Sequence, residues 1–207
     1  ELLLALLKDS DFPDEENLID IRNVFLKKLG EKVEKLKSTN SQIIQHAYEN
    51  QLGITKIHKC CLKTIETKDI GALFEFLCLK ATAILGVDVI KIVVSDKTFS
   101  NSKIQNCILK SNEEIIKFAQ KIGITKGKTV SLTNVVNDKK KEPEQLIARE
   151  ESTKSEAIIS LLVNSEFKGF LFFESVYEST FSVDQSTDYL EFFAQVISKH
   201  LESLLYK

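Results

Sequence analysis

Residues 154–175 read KSEAIISLLVNSEFKGFLFFES. Two runs rich in β-branched, leucine and aromatic residues, SEAIISLLV and GFLFFES, flank a short polar connection, NSEFK, and this combination predicts a β-hairpin. Upstream, VDVIKIVVSD at 87–96, SKIQNCILK at 102–110 and GKTVSLT at 127–133 read as further strands, with a helix over NEEIIKFAQKI at 112–122 between the last two. DIGALFEFLCLKATAILG at 69–86 reads as a helix capped by Asp69 that buries Leu73, Phe76, Leu77, Ile84 and Leu85. NDKKKEPEQ at 137–145 is polar, contains Pro143 and reads as a surface loop, followed by a brief helix over EQLIAREE at 144–151. A closing helix from about Val183 presents Leu190, Phe193, Ala194, Ile197, Leu201 and Leu204 on one face.

The N-terminal third has a different pattern. ELLLALLK reads as a short helix ended by the acidic, proline-bearing SDFPDEEN, after which a long helix starts near Asn17. From Leu26 its core positions step by three and four through Leu29, Val33, Leu36, Asn40, Ile43, Ala47, Asn50, Ile54, Ile57 and Cys61, a seam of about five heptads. Asn40 falls at the first core position of its heptad, where it pairs with its own copy across a two-fold axis and fixes register at a cost in stability. The competing use of the stripe is packing on its own domain. Lys32 and Lys37 flank the seam with like charge, and Gly53 weakens the helix by about 1 kcal/mol, so a coiled coil of modest strength is expected. The predicted organisation is a helical, coiled-coil segment over residues 1–66 and an α+β domain over 67–207.

Bulk composition removes several function classes. With 43% hydrophobic residues in 207, the chain has ample material for a continuous core. Lys+Arg 28 against Asp+Glu 30 leaves a formal charge of −2, and arginine stands only at Arg22 and Arg149, so nothing favours nucleic acid or an anionic membrane. Cys60, Cys61, Cys78 and Cys107 have neither CxxC spacing nor the density of a secreted disulfide scaffold, which points to a reducing, cytoplasmic setting. No apolar run reaches the roughly 18 residues of a membrane span. A chain that begins at Glu1 and contains no Met is expected to have lost its true start.

A long leading helix, a sheet of short strands with helical excursions and a closing helix is the element order of GAF-like domains. Three stretches carry a closer resemblance: residues 18–37 with 47–66, LGVDVIKIVVSD at 85–96, and residues 154–175 followed by FSVDQSTDYLEFFAQVISKHLESLL at 181–205. In order and spacing they resemble the proteobacterial, GAF-like domain-of-unknown-function 484 family, of alphaproteobacterial type, whose members join an N-terminal helical region to a GAF-like domain. The resemblance implies a mixed, mainly antiparallel sheet with flanking helices, and it brings no agreed activity. Members read Gly-Ser-Arg-Asp after the last strand, then an aromatic residue and a Gly-Gln-Gly-Thr-like helix start. Here Glu174, Ser175, Val176 and Tyr177, then Phe181, Asp184, Gln185, Ser186 and Thr187, stand in those places, so Ser175, Phe181, Gln185 and Thr187 keep the pattern while the glycines, Arg and Asp are lost.

Individual motifs offer little chemistry. GITKGKT is one residue short of a phosphate-binding loop and follows a helix, so it reads as a turn into a strand. His58 and Cys61 have metal-compatible spacing but lack a second ligand pair, and no metal is expected. His46 and His200 are lone histidines on amphipathic helices, and Glu150, Glu151 and Glu156 lack an identifiable partner acid, so no catalytic residue is assigned. The sequence thus reads as a non-catalytic, dimeric, regulatory or sensory module that binds a small ligand or a protein partner, with no cofactor named. The alternative is an interaction scaffold whose 13 phenylalanines fill its interior. In GAF-like folds the ligand lies on one face of the sheet beneath helices and loops, and the polar groups nearest to such a place are Arg149, Ser155, Glu156, Ser175 and Thr187. Arg149 is the candidate anion clamp, a surface ion pair with Glu150 or Glu151 being its competing use.

Overall fold

The computed structural model describes residues 15–96, 99, 104–135, 146–182 and 185–206, with side chains from Asn23 onward in the first helix. The short helix expected at 1–8, the loop at 137–145 with Lys139–Lys141, and Asp184 lie outside the described residues. Internal contacts divide the chain into Glu1–Gln51 and Leu52–Lys207, whereas the sequence places the division after residue 66.

Helix α1 (Glu15–Ile65) crosses that division. In the first unit every described side chain from Asn23 on is exposed, including the seam residues Leu29, Val33, Leu36, Asn40, Ile43 and Ala47. Local pairs one turn apart support this stretch, among them Lys37 Nζ to Glu34 Oε1 at 3.1 Å and Gln45 Nε2 to Glu49 Oε1 at 2.9 Å. In the second unit α1 turns a face inward: Ile57, Cys60, Cys61 and Thr64 are buried and Ile54 is half-buried. The heptad seam therefore ends near Ile54, because Ile57 and Cys61 are spent on the core of their own domain.

Asp69 caps α2 (Ile70–Glu75) as expected, its carboxylate accepting the Ala72 N–H at 2.8 Å. The helix expected to run unbroken to Gly86 instead passes through a π-turn, Phe76–Lys80, before α3 (Ala81–Leu85). Phe76, Leu77 and Cys78, consecutive in that turn, are all buried, and the wider turn narrows the arc over which the three side chains spread. Gly86 closes α3 in the left-handed region at φ 76°, and Lys56 Nζ binds the Leu85 carbonyl at 3.1 Å, a cation at a helix C-terminus.

Five strands follow around one more helix: β1 (Val89–Ser95), β2 (Cys107–Lys110), α4 (Asn112–Lys121), β3 (Val130–Asn134), β4 (Ser155–Val163) and β5 (Glu166–Ser175), then α5 (Asp188–Leu205). The sheet order is β2-β1-β5-β4-β3, with β1 and β2 parallel and the other pairs antiparallel. The β4–β5 hairpin turns on Asn164 and Ser165, both at positive φ of 50° and 61°, a two-residue turn tighter than the connection read from NSEFK. Gly169 admits no side chain, since a Cβ there collides with the Val93 carbonyl of β1.

The sheet has two covered faces. The first, carrying Ile90, Ile92, Val94, Ala157, Ile159, Leu161, Leu171 and Phe173, packs with the end of α1, α2 and α5. The second, carrying Val93, Ile158, Phe170 and Phe172, lies with Ile115, Phe118 and Ala119 of α4 and with Leu146 and Ile147. Two expectations are corrected. The described part of EQLIAREE forms bends, irregular backbone and the start of a turn rather than a helix, because Ala148, Arg149 and Glu150 direct backbone and side-chain groups at the sheet. The closing helix starts at Asp188, later than read from the sequence; Val183 lies outside the described residues, and around it Gln185 engages the Ser182 N–H and the Ser179 carbonyl while Ser155 Oγ accepts the Phe181 N–H.

Candidate functional site

The polar end of the second sheet face is the most highly organised group of charges among the described residues. Strand pairing places Glu174 of β5 directly opposite Glu156 of β4 and Val89 of β1. Both carboxylates are buried, with side chains 1% and 2% exposed. Like charges facing across a ladder in an apolar setting are destabilising unless each has its own cation. Each does.

Lys91, one pleat along β1, donates from Nζ to Glu174 Oε1 at 2.7 Å and to the Ala148 carbonyl at 3.0 Å, and it forms a longer ion pair with Glu150 Oε1 at 3.4 Å. Glu174 Oε2 accepts the Glu150 N–H at 3.1 Å and the Thr153 hydroxyl at 2.8 Å. Arg149 grips Glu156 in bidentate fashion, Nε to Oε2 and Nη2 to Oε1, both 2.9 Å. Residues 148–153 are thereby clamped to the sheet at both carboxylates, with Leu146 and Ile147 continuing into the apolar half of the same face.

The residues singled out in the sequence separate into groups. Arg149 and Glu156 come together, and Arg149 directs its fork at Glu156 rather than at Glu150 or Glu151. Ser155 and Ser175 are register partners one residue away, and alternation places them on the opposite face. There Ser155 Oγ donates to the Tyr177 carbonyl at 2.6 Å, and Ser175 Oγ donates to Asp88 Oδ2 at 3.1 Å and lies 2.9 Å from Thr180 Oγ1. Thr187 stands at the start of α5, its hydroxyl 2.7 Å from Glu191 Oε1, apart from both groups. Of the α1 residues, Leu36 is 69% and Ile43 60% exposed, and a shallow groove there is lined by Val33, Leu36, Lys37, Thr39, Asn40 and Ile43.

Sequence reasoning did not assemble Lys91, Thr153 and Glu174 into this cluster. Two signals were available: a lysine inside the otherwise apolar IKIVV, and a glutamate ending the buried run FLFFE, each of which demands a partner. Their pairing required the β1–β5 register.

Elsewhere the reactive side chains are engaged or quiet. Burial pushes the Cys60 and Cys78 thiols up to about 12, and the Cys61 thiol is raised for the same reason. His200 Nε2 lies 2.9 Å from Thr67 Oγ1, and His46 Nδ1 lies 3.6 Å from Glu49. His58 is exposed while Cys61 is buried, so their spacing does not converge on one point. Among the described residues no group of three or more His, Cys, Asp and Glu comes together to hold a metal, and no helix is long and apolar enough to cross a membrane. GITKGKT is a turn, closed by Thr125 N–H to Lys128 O at 3.0 Å and the reciprocal bond at 3.2 Å.

No family model and no curated protein matches the chain. Among solved structures it is similar to the chromophore-binding domain of an unusual bacteriophytochrome from R. palustris, at 13% identity and TM-score 0.51, over 76% of this chain and 62% of that one. It is also similar to a free methionine-R-sulfoxide reductase from Neisseria meningitidis, at 14% identity and TM-score 0.49, over 72% and 87%. A structure described as that of the GAF domain matches at 18% identity and TM-score 0.47, over 70% and 87%. Likeness at these identities concerns fold alone. The chain has a GAF-like α+β fold: a mixed five-stranded sheet, helices on both faces and a long helix leading into it.

Proposed function

We propose that this chain is a non-catalytic, GAF-like regulatory module of the cytoplasm that pairs with a second copy through α1 and acts on a protein partner or a small ligand. One observation carries the pairing. In the first unit Leu29, Val33, Leu36 and Ile43 lie exposed around Asn40, in a stripe that a single chain leaves in water. A second copy is the occupant that fits, because the Asn40 amide has both donors and an acceptor and is complementary to itself across a two-fold axis. The like charges of Lys32 and Lys37 are softened by the Lys37–Glu34 pair. The resemblance to the domain-of-unknown-function 484 family is part of the same reading.

Between a protein partner and a small ligand, packing favours the former. On the second face Phe118 meets Phe170 and Phe172 at centroid distances of 5.4 and 5.9 Å, filling space that a ligand of that face would need. A non-catalytic role is supported by carboxylates already paired and by thiols held protonated by burial.

Light scattering of the intact chain and of a Leu36→Glu/Ile43→Glu variant tests the pairing. The expected result is a dimer mass for the parent and a monomer mass for the variant, with unchanged circular dichroism of the sheet domain. A monomer in both removes the proposal.

A further inference from the structure

Cys78 and Cys107 have no part in the function proposed above, yet the fold brings them together. Cys78 is buried in the middle of the π-turn, and its Sγ lies 3.7 Å from the Asn106 carbonyl oxygen. That carbonyl also accepts the Ile92 N–H at 2.8 Å, and Ile92 is in parallel register with Cys107. Register partners point to the same face of a sheet, so Cys107 shares the first face with Ile92 and packs against the cluster that contains Cys78. The Asn106 oxygen and the Cys107 Cα are separated by a single peptide unit, about 2.8 Å, which puts Cys78 Sγ within about 6.5 Å of Cys107 Cα. A disulfide bond of about 2.05 Å is reached from there by rotation of both side chains together with a small approach of β2 to the π-turn.

We propose that Cys78 and Cys107 form a reversible oxidation site, with hydrogen peroxide as the oxidant. The two thiols differ in access: Cys107 is half-exposed on an edge strand, while Cys78 is enclosed and burial pushes its thiol up to about 12. Cys107 therefore reacts first. Its thiolate attacks one peroxide oxygen, the O–O bond breaks, and the departing hydroxide takes up the proton the thiol had released, leaving Cys107 as a sulfenic acid and one water. Cys78 sulfur then attacks the sulfenic sulfur: the S–S bond forms, the S–O bond breaks, and the hydroxide leaves with the Cys78 proton as a second water. Two thiols and one peroxide give one disulfide and two waters, and the two electrons pass from sulfur to oxygen.

The bridge would tie the π-turn to edge strand β2. A π-turn holds one residue more than the helix around it and is a common location of functional rearrangement, so a covalent link there would hold the turn against the edge strand. The inference is independent of pairing through α1.

The test uses the full chain. It is treated with hydrogen peroxide, unfolded, capped with N-ethylmaleimide, and its mass and proteolytic peptides are measured. The expected result is a chain that carries two maleimide adducts in place of four and is otherwise two hydrogens lighter, a peptide joining Cys78 to Cys107, and reversal by dithiothreitol. The oxidised chain is expected to melt roughly 5–10 °C higher than the reduced one. Cys107→Ser, at a half-exposed position, abolishes the joined peptide, and Cys60→Ser leaves it in place. Four capped cysteines, a Cys107 sulfinate without the joined peptide, or a link through Cys60 or Cys61 would overturn the proposal.

Discussion

The two faces of the sheet are built from the same strands, alternate residues going to each, and solve different problems. The first is apolar from Ile90 and Ile92 through Leu171 and Phe173 to Ala157 and Ile159, and it packs with helices whose inward stripes are equally apolar. The second begins the same way, with Phe170, Phe172 and Ile158, and then changes to Lys91, Glu174 and Glu156 within the same strands. An apolar face accepts any cover of suitable shape, since burial is non-directional. A face that buries two adjacent carboxylates accepts only a cover that brings cations and N–H groups to fixed points, and residues 148–153 do so. Ion pairs of this kind contribute little net stability against apolar replacements, but breaking one is costly, so they fix which segment covers the sheet more than how tightly.

The largest effect should come from breaking the charged face. Glu174→Ala leaves the Lys91 ammonium, the Glu150 N–H and the Thr153 hydroxyl without their acceptor, and a loss of about 3–5 kcal/mol in urea unfolding is expected. Lys91→Met with Glu174→Leu should recover most of that loss, because it removes both buried charges together. A single variant as stable as the parent would mean that the cluster is solvated and that the two faces are energetically alike. A smaller effect is expected on the apolar face. Ile159→Val removes one methylene from a fully buried site and should cost about 0.5–1.5 kcal/mol, with unchanged cooperativity. A loss as large as that of Glu174→Ala would erase the contrast.

The smallest effect concerns the helix that covers the second face. Glu114 closes the capping box of α4, and the Ser111 N–H, the Ser111 hydroxyl and Lys110 hold its carboxyl below the ordinary range. A folded value below the unfolded one places its contribution above the unfolded pKa, and that contribution is lost as pH falls through the lower, folded value. A carbon-detected NMR titration should give Glu114 a midpoint below the ordinary glutamate range, and Ser111→Ala should raise that midpoint. An ordinary glutamate midpoint for Glu114 in the parent protein would show that the cap is open in solution.

Much of this protein was legible in its sequence. The long helix, the Asp69 cap, the five strands and the α4 and α5 helices follow from periodicity and turn chemistry, which are local properties of the chain. The exposed seam at Leu29, Val33, Leu36 and Ile43 was equally visible, but where it stops was not. Periodicity carries it on through Ile57 and Cys61, and only the presence of the domain core turns those two inward. The π-turn at Phe76–Lys80 was hidden for a related reason, since its extra residue is set by three side chains seeking one core.

The charged cluster depended wholly on tertiary structure. Sequence neighbourhood offered Arg149 the carboxylates of Glu150 and Glu151, but the path of residues 148–153 over the sheet turned it to Glu156, seven positions on, and the β1–β5 pairing brought Lys91 to Glu174 across 83 positions. Register also put Ser155 and Ser175 on the face away from Arg149, because a period of two sends neighbouring residues to opposite sides. Composition and periodicity thus determined the kind of fold and the order of its main elements. Which charges meet, and on which face, was decided by hydrogen-bonded register between strands distant in sequence, a property that no local window of the chain contains.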